Sequence, residues 1–418
     1  MTAGMSQTRK PRRPLGLRGR LLGTVAVAAA WSVGFAGAAS SAVAADVQSK
    51  QWYLRAMQAE EMWKVTTGEG IKVAVIDTGV NASTSSLKGQ VLKGFDATGA
   101  DGDEYDDYRG HGTTMAELIA GTGKGGGLKG LAPGVKIIPM RITDTEFQNE
   151  HSVNAEDTSD AIRAAADSDA QILSMSFASD FPTAKEREAV KYAQSKGKLF
   201  FAGVGNNAEK DNQDQFPAAY PQVVGVASAD RDGKVAEYSQ NGDIVDIAAP
   251  GNDIPRWCDA TFQSYCDGDG GTSAATAIAS ASAALVWSAH PDWTANQVLN
   301  VLFDTASRDW EKDTVSKYLG HGLIRPSMNL LKGKGDPGAP DISPLTQEKT
   351  AGSPASPAAS ASASSQPEEK ETVADAAVAG SSTEKDDTSH LGLILGGAAA
   401  VVLLGGGAFV FARRRRTA

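Results

Sequence analysis

The chain has 418 residues, 41% of them hydrophobic, with 40 Lys and Arg against 50 Asp and Glu for a net charge of −10. That negative balance excludes nucleic acid as the main partner, because a polyanion would be repelled. Only two cysteines occur, Cys258 and Cys266.

Residues 1–45 read as an export signal and not as fold. Arg9, Lys10, Arg12, Arg13, Arg18 and Arg20 form a positive start, an apolar stretch follows from Leu21, and small residues around Ala42–Ala45 suit cleavage. Residues 46–335 are then long enough for one large domain. Only a short stretch precedes Met62 and Trp63, too little for a folded inhibitory propeptide, so none is expected.

Residues 71–76 are a short apolar run suited to a central strand, ending just before Asp77 and Gly79. Residues 135–142, 170–176, 198–204 and 223–227 read the same way, while Asp157–Asp167 and 184–196 carry helical spacing. Strands alternating with helices predict an α/β fold with a central, mostly parallel sheet covered on both faces. Working residues gather at the carboxyl ends of such strands, where Asp77 falls.

The acidic run 96–107 is expected to be a solvated, mobile loop, with a cation site as the alternative. His111 then opens a helical stretch within Gly110-His111-Gly112-Thr113-Thr114. The other histidines, His151, His290, His321 and His390, lack such small-residue surroundings. Farther on, Cys258 and Cys266 lie on the exported side, where an oxidising setting favours a disulfide over two buried thiols. They stand just ahead of Gly271-Thr272-Ser273, and Ser273 precedes a helix of small residues running to Ala289. A nucleophile there gains from the helix dipole and from free backbone N–H groups. A serine hydroxyl needs a histidine to take its proton and a carboxylate to hold that histidine, and Asp77, His111 and Ser273 supply the set.

The ends define the setting. Residues 336–390 are Ala, Ser, Pro, Thr, Glu and Lys with few large apolar side chains, and read as a disordered stalk. Residues 391–412 are uncharged and as a helix would reach about 33 Å, enough for a hydrocarbon core of about 30 Å. The basic tail 413–418 should stay in the cytoplasm. The protein is thus expected in the cell membrane as a single-pass protein with its large domain outside.

The three segments resemble those of the subtilases, the subtilisin-like serine peptidases. Gly130-Leu131-Ala132-Pro133, Ser174-Met175-Ser176-Phe177, Ala202-Gly203-Val204-Gly205-Asn206, Ala248-Ala249-Pro250-Gly251 and His290-Pro291-Asp292-Trp293 extend the resemblance. It implies a three-layer subtilisin-like fold and a serine endopeptidase acting on protein or peptide substrates. Ser273 would be the nucleophile, His111 the general base, Asp77 its orienting partner and Asn206 an oxyanion donor. Ser176, Phe177, Ala178, Ala202, Gly203 and Val204 would line a modest, mostly apolar substrate pocket. No cofactor is implied. The metal loop usual in the family, here 122–127, offers few oxygen ligands, so no metal is expected. A signal, a subtilase domain, a stalk and a C-terminal span together resemble the mycosins, the membrane-anchored subtilases of type VII secretion, which implies secretion-complex partners. Four residues depart from the usual pattern: Ala274, Ala277, Glu117 and Ala178. A weakly catalytic or non-catalytic scaffold is the competing expectation.

Overall fold

A computed structural model describes residues 47–151, 157–268 and 270–350, to which every structural statement below refers. The expected signal, span and basic tail, and the stalk beyond 350, lie outside the described residues. Among the described residues no helix is long and apolar enough to cross a membrane.

Two short helices, α1 (Trp52–Ala56) and α2 (Ala59–Met62), lead into β1 (Lys72–Asp77). There follow β2 (Phe95–Asp96), α3 (His111–Ala120), β3 (Lys136–Arg141), α4 (Thr145–His151), α5 (Asp157–Asp167), β4 (Ile172–Met175) and α6 (Ala184–Ser195). The chain continues through β5 (Leu199–Gly203), β6 (Val224–Ala229), β7 (Ile247–Pro250), the two-residue strands β8 (Arg256–Trp257) and β9 (Tyr265–Cys266), α7 (Thr272–Ala289), α8 (Ala295–Thr305) and α9 (Ser327–Lys332).

Seven strands form one sheet in the order β2-β3-β1-β4-β5-β6-β7, and every pairing in it is parallel. Alternation along β1 separates the layers. Val73 and Val75 pack with α3 and α7, whereas Ala74 and Ile76 pack with α5 and α6. Strands buried on both faces are continuous apolar runs, which is why β1, β3, β4 and β5 are readable from sequence. β1 lies between β3 and β4, so the direction of strand addition reverses there. The crevice beyond its carboxyl end is where such sheets hold ligands. The helix α7 is small-residued and buried almost all round, and it runs unbroken past Ala277.

Two expectations are corrected. The acidic run is not a wholly solvated loop: Asp101, Asp103 and Asp106 are exposed, but Asp107 and Glu104 are buried, and Asp96 pairs with the buried Arg141 at 3.4 Å. Glu104 accepts from the Gly94 N–H at 3.0 Å. The stalk does not begin at Asp336 either. Pro340 accepts hydrogen bonds from Thr294 Oγ1 (2.8 Å) and Asn296 Nδ2 (3.0 Å), and Pro337 from Asn300 Nδ2 (3.1 Å), so this segment is tied along α8 as far as Thr350. Backbone carbonyls supply most of these ties, and Leu345 adds an apolar contact with the core.

Candidate active site

Asp77 is the last residue of β1 and is 3% exposed. Its Oδ1 accepts from the Thr78 N–H at 2.8 Å and lies 2.7 Å from His111 Nδ1. A carboxylate only accepts, so Nδ1 carries the proton and Nε2 is left as the free base. Gly112 makes this approach sterically allowed: a Cβ there would meet Gly79 O at 2.2 Å and Asp77 Cβ at 3.0 Å.

Asp107 anchors the first turn of α3 from behind. Its Oδ1 accepts from Thr78 Oγ1 (2.7 Å), Arg109 N (3.0 Å) and Gly110 N (2.8 Å). Its Oδ2 accepts from Thr113 N (2.8 Å) and Thr113 Oγ1 (2.6 Å). A carboxylate at a helix N-terminus satisfies donors that have no intrahelical acceptor. The sequence reading missed this residue among its acidic neighbours; its place just ahead of a helix start was the available signal. Burial works against a charge on His111. Asp77, by attraction and by its hydrogen bond, and then Asp107 outweigh that and a smaller opposing effect of Arg256, so the imidazole pKa lies above its ordinary value.

Ser273 sits in the first turn of α7, where its backbone N–H has no acceptor within the helix. Its Oγ points to the Ser176 carbonyl at 3.4 Å, and Ser176 Oγ to the Ser273 carbonyl at 3.4 Å. Asn206 is locked by the same helix: its Oδ1 accepts from Thr272 N (2.9 Å) and Thr272 Oγ1 (3.1 Å). Because a backbone N–H can only donate, the amide oxygen is committed to α7 and the Nδ2 edge is turned away from it. Thr272 is therefore a further site residue that the sequence reading did not single out.

Ser273 and Asn206 open onto a cavity of about 590 Å³, with Ser176, Phe177, Ala178 and Gly203 in its wall. Ala202 and Val204, expected there, are instead fully buried among the residues packed against α5 and α6. The strand's two-residue period sends Gly203 to one face and its neighbours to the other. The pocket is also more polar than expected. Asp180, Asn207 and Gln215 line it, the buried Gln215 donating from Nε2 to Asp180 Oδ1 at 2.6 Å.

The remaining features are structural. Cys258 and Cys266 form a disulfide. His290 stacks on Trp293 and contacts Asn329 at 2.9 Å, and His321 stacks on Phe303. In the loop 122–127 the carbonyls of Gly123 and Gly127 take hydrogen bonds from Gln48 Nε2, at 2.8 and 2.9 Å. Among the described residues no group of His, Cys, Asp and Glu could hold a metal ion.

Glu117 faces inward, fully buried, with hydrogen bonds from Thr84 Oγ1 (2.8 Å) and Tyr265 OH (2.6 Å). Burial pushes its pKa from 4.5 up to about 7 against those hydrogen bonds. The folded state therefore holds this proton more firmly than the unfolded chain. The resulting stability is full below pH 4.5 and lost as pH rises through 7, on the order of 3 kcal/mol at 1.36 per unit. Urea unfolding at pH 5 and pH 8 should show this loss in the natural chain and a smaller one in Glu117→Gln. Equal losses in both would refute the assignment. The slope left in the variant comes from the other groups whose proton the fold holds more firmly: Asp246, which burial raises to about 7, and Asp157, Glu186 and His111, which are raised as well.

A family profile described as Subtilase family matches residues 68–322. A thermophilic serine proteinase of Bacillus sp. (strain AK1) is 36% identical over 49% of this chain and 50% of its own length. Thermitase of Thermoactinomyces vulgaris is 30% identical over 65% of this chain and 95% of its own. The chain thus spans half of the first relative and nearly all of the second. Among solved structures, the MycP3 protease from the type VII (ESX-3) secretion system superposes with a TM-score of 0.57 at 28% identity, over 67% of this chain and 88% of that one.

Proposed function

The chain belongs to the subtilase family, whose members are serine endopeptidases, and from that premise we propose that it hydrolyses peptide bonds outside a membrane, as a mycosin-like component of type VII secretion. The observation that carries the chemistry is the 2.7 Å contact between His111 Nδ1 and Asp77 Oδ1, which leaves Nε2 as the free base. Ser273 Oγ attacks the scissile carbonyl while His111 takes its proton, and the imidazolium is stabilised by Asp77. His111 then protonates the leaving amine, and water repeats the sequence on the acyl-enzyme. The developing oxyanion is held by the Ser273 N–H and Asn206 Nδ2. The Thr272 lock on the amide oxygen keeps Asn206 from turning its carbonyl toward that charge.

Asn206→Ala is expected to lower kcat about 100- to 1,000-fold with KM nearly unchanged, since the donor acts on a charge absent from the ground state. Steady-state peptide cleavage measures this, and a loss confined to KM would remove Asn206 from the oxyanion site.

The setting rests on the export signal 1–45, the uncharged run 391–412 and the basic tail 413–418, and on the likeness to MycP3. One observation favours a second reading, a scaffold with little turnover: Ser273 Oγ is directed at Ser176 O and not at His111. Ser273→Ala in the producing cell separates the two. Under the peptidase reading a cleavage product disappears. If no product ever forms, and deletion of the whole protein but not this substitution stops secretion, the scaffold reading holds.

A further inference from the structure

The hairpin of β8 and β9 lies across one face of the helix that begins with His111. Its strands pair Trp257 with Tyr265 and Arg256 with Cys266, and the Cys258–Cys266 disulfide closes it. Three residues of α3 and its cap, at positions 110, 114 and 117, fall on a single helical face. The hairpin meets each of them. Asp259 O packs so close to Gly110 that a Cβ there would lie 2.8 Å away. Thr114 Oγ1 accepts from the Trp257 N–H at 3.1 Å. Glu117 Oε2 accepts from Tyr265 OH at 2.6 Å. The Trp257 ring stacks on Tyr265 with centroids 3.8 Å apart, so the two gripping residues brace one another next to the disulfide.

Glu117 has a second attachment. Its Oε1 accepts from Thr84 Oγ1 at 2.8 Å, in the loop that leaves β1 after Asp77. The carboxylate therefore ties the hairpin, the His111 helix and the Asp77 loop together at one buried point. A helix that shifts by an ångström carries its first residue with it, and a base misplaced by that much loses rate without losing its substrate.

We propose that this disulfide-closed hairpin is a positioning element for the general base, acting through Tyr265 and Glu117 on the helix that carries His111. The proposal rests on the peptidase reading above. Tyr265 and Glu117 touch neither substrate nor the reacting atoms; they are positioning residues.

The test uses the full chain. Tyr265→Phe, which removes one hydroxyl, should lower kcat about fivefold or more with KM within about twofold. Glu117→Gln keeps a carbonyl acceptor for Tyr265 and should retain most of kcat, whereas Glu117→Ala, which also releases Thr84, should lose at least as much as Tyr265→Phe, and the double variant no more than Glu117→Ala alone. Cys258→Ser with Cys266→Ser should reproduce the kcat loss. Labelling of Ser273 by a fluorophosphonate counts competent sites, so kcat is compared per labelled site and a partly unfolded sample does not mimic the effect. Unchanged kcat per site in Tyr265→Phe and in the cysteine pair, or a loss lodged in KM, overturns the proposal while leaving the peptidase reading intact. A natural chain that neither labels nor cleaves sinks the peptidase reading and this one with it.

Discussion

Ser273→Ala is expected to lower kcat about a millionfold while leaving KM within a few-fold. The size follows from what the hydroxyl does: without it no acyl-enzyme forms, and His111 and Asp77 have nothing to activate. What remains is the rate that binding and the oxyanion donors give to direct attack by water. The fold should hardly notice. The lost hydroxyl makes a 3.4 Å contact with Ser176 O at the mouth of a cavity, and the helix it belongs to is buried mainly through its other residues. Peptide cleavage by the purified chain, with a melting curve on the same sample, checks both halves. A variant that melts like the natural chain yet still cleaves near its rate would mean that another group is the nucleophile.

The site's outline was legible because its parts are local. The run before Asp77 is apolar enough to be a central strand, and the small residues around His111 and Ser273 mark helix starts with room beside them. What could not be read depends on which way a side chain turns. Asp107 stands in a run of acidic residues, and only its place just ahead of a helix start hints that it turns inward to collect five hydrogen bonds. Glu117 sits between apolar neighbours, Ala116 and Leu118, where sequence allows either solvent or core; its partners, Thr84 and Tyr265, come from distant parts of the chain. The error at Ala202 and Val204 is one of register, since a strand adjoining the cleft shows it only every second residue. The segment after Asp336 misled for a different reason. Composition weighs apolar side chains, whereas this segment is held through its backbone carbonyls by Asn296 and Asn300.

The second large effect concerns Asp77. Asp77→Asn is expected to lower kcat/KM about ten-thousandfold, because both ways of seating the amide are poor. Oδ1 serves two donors, Thr78 N and His111 Nδ1, while Oδ2 is buried with no protein hydrogen-bond partner. With the amide oxygen at Oδ1, the imidazole keeps its tautomer, but the NH₂ is buried against no acceptor and the negative charge that stabilises the imidazolium is gone. With the nitrogen at Oδ1, it faces the Thr78 N–H, donor against donor, and forces the His111 proton to Nε2, where it blocks acceptance from Ser273. The pH profile separates charge from geometry. His111 acts as a base only when neutral, so its pKa sets the acid limb of kcat/KM. Asp77 is the main influence raising that pKa, while burial and Arg256 lower it. Removing the charge must therefore move the acid limb to lower pH even as the rate falls, leaving only Asp107 to oppose the drop. A limb that stays in place or moves upward would show that Asp77 is not the carboxylate that controls His111.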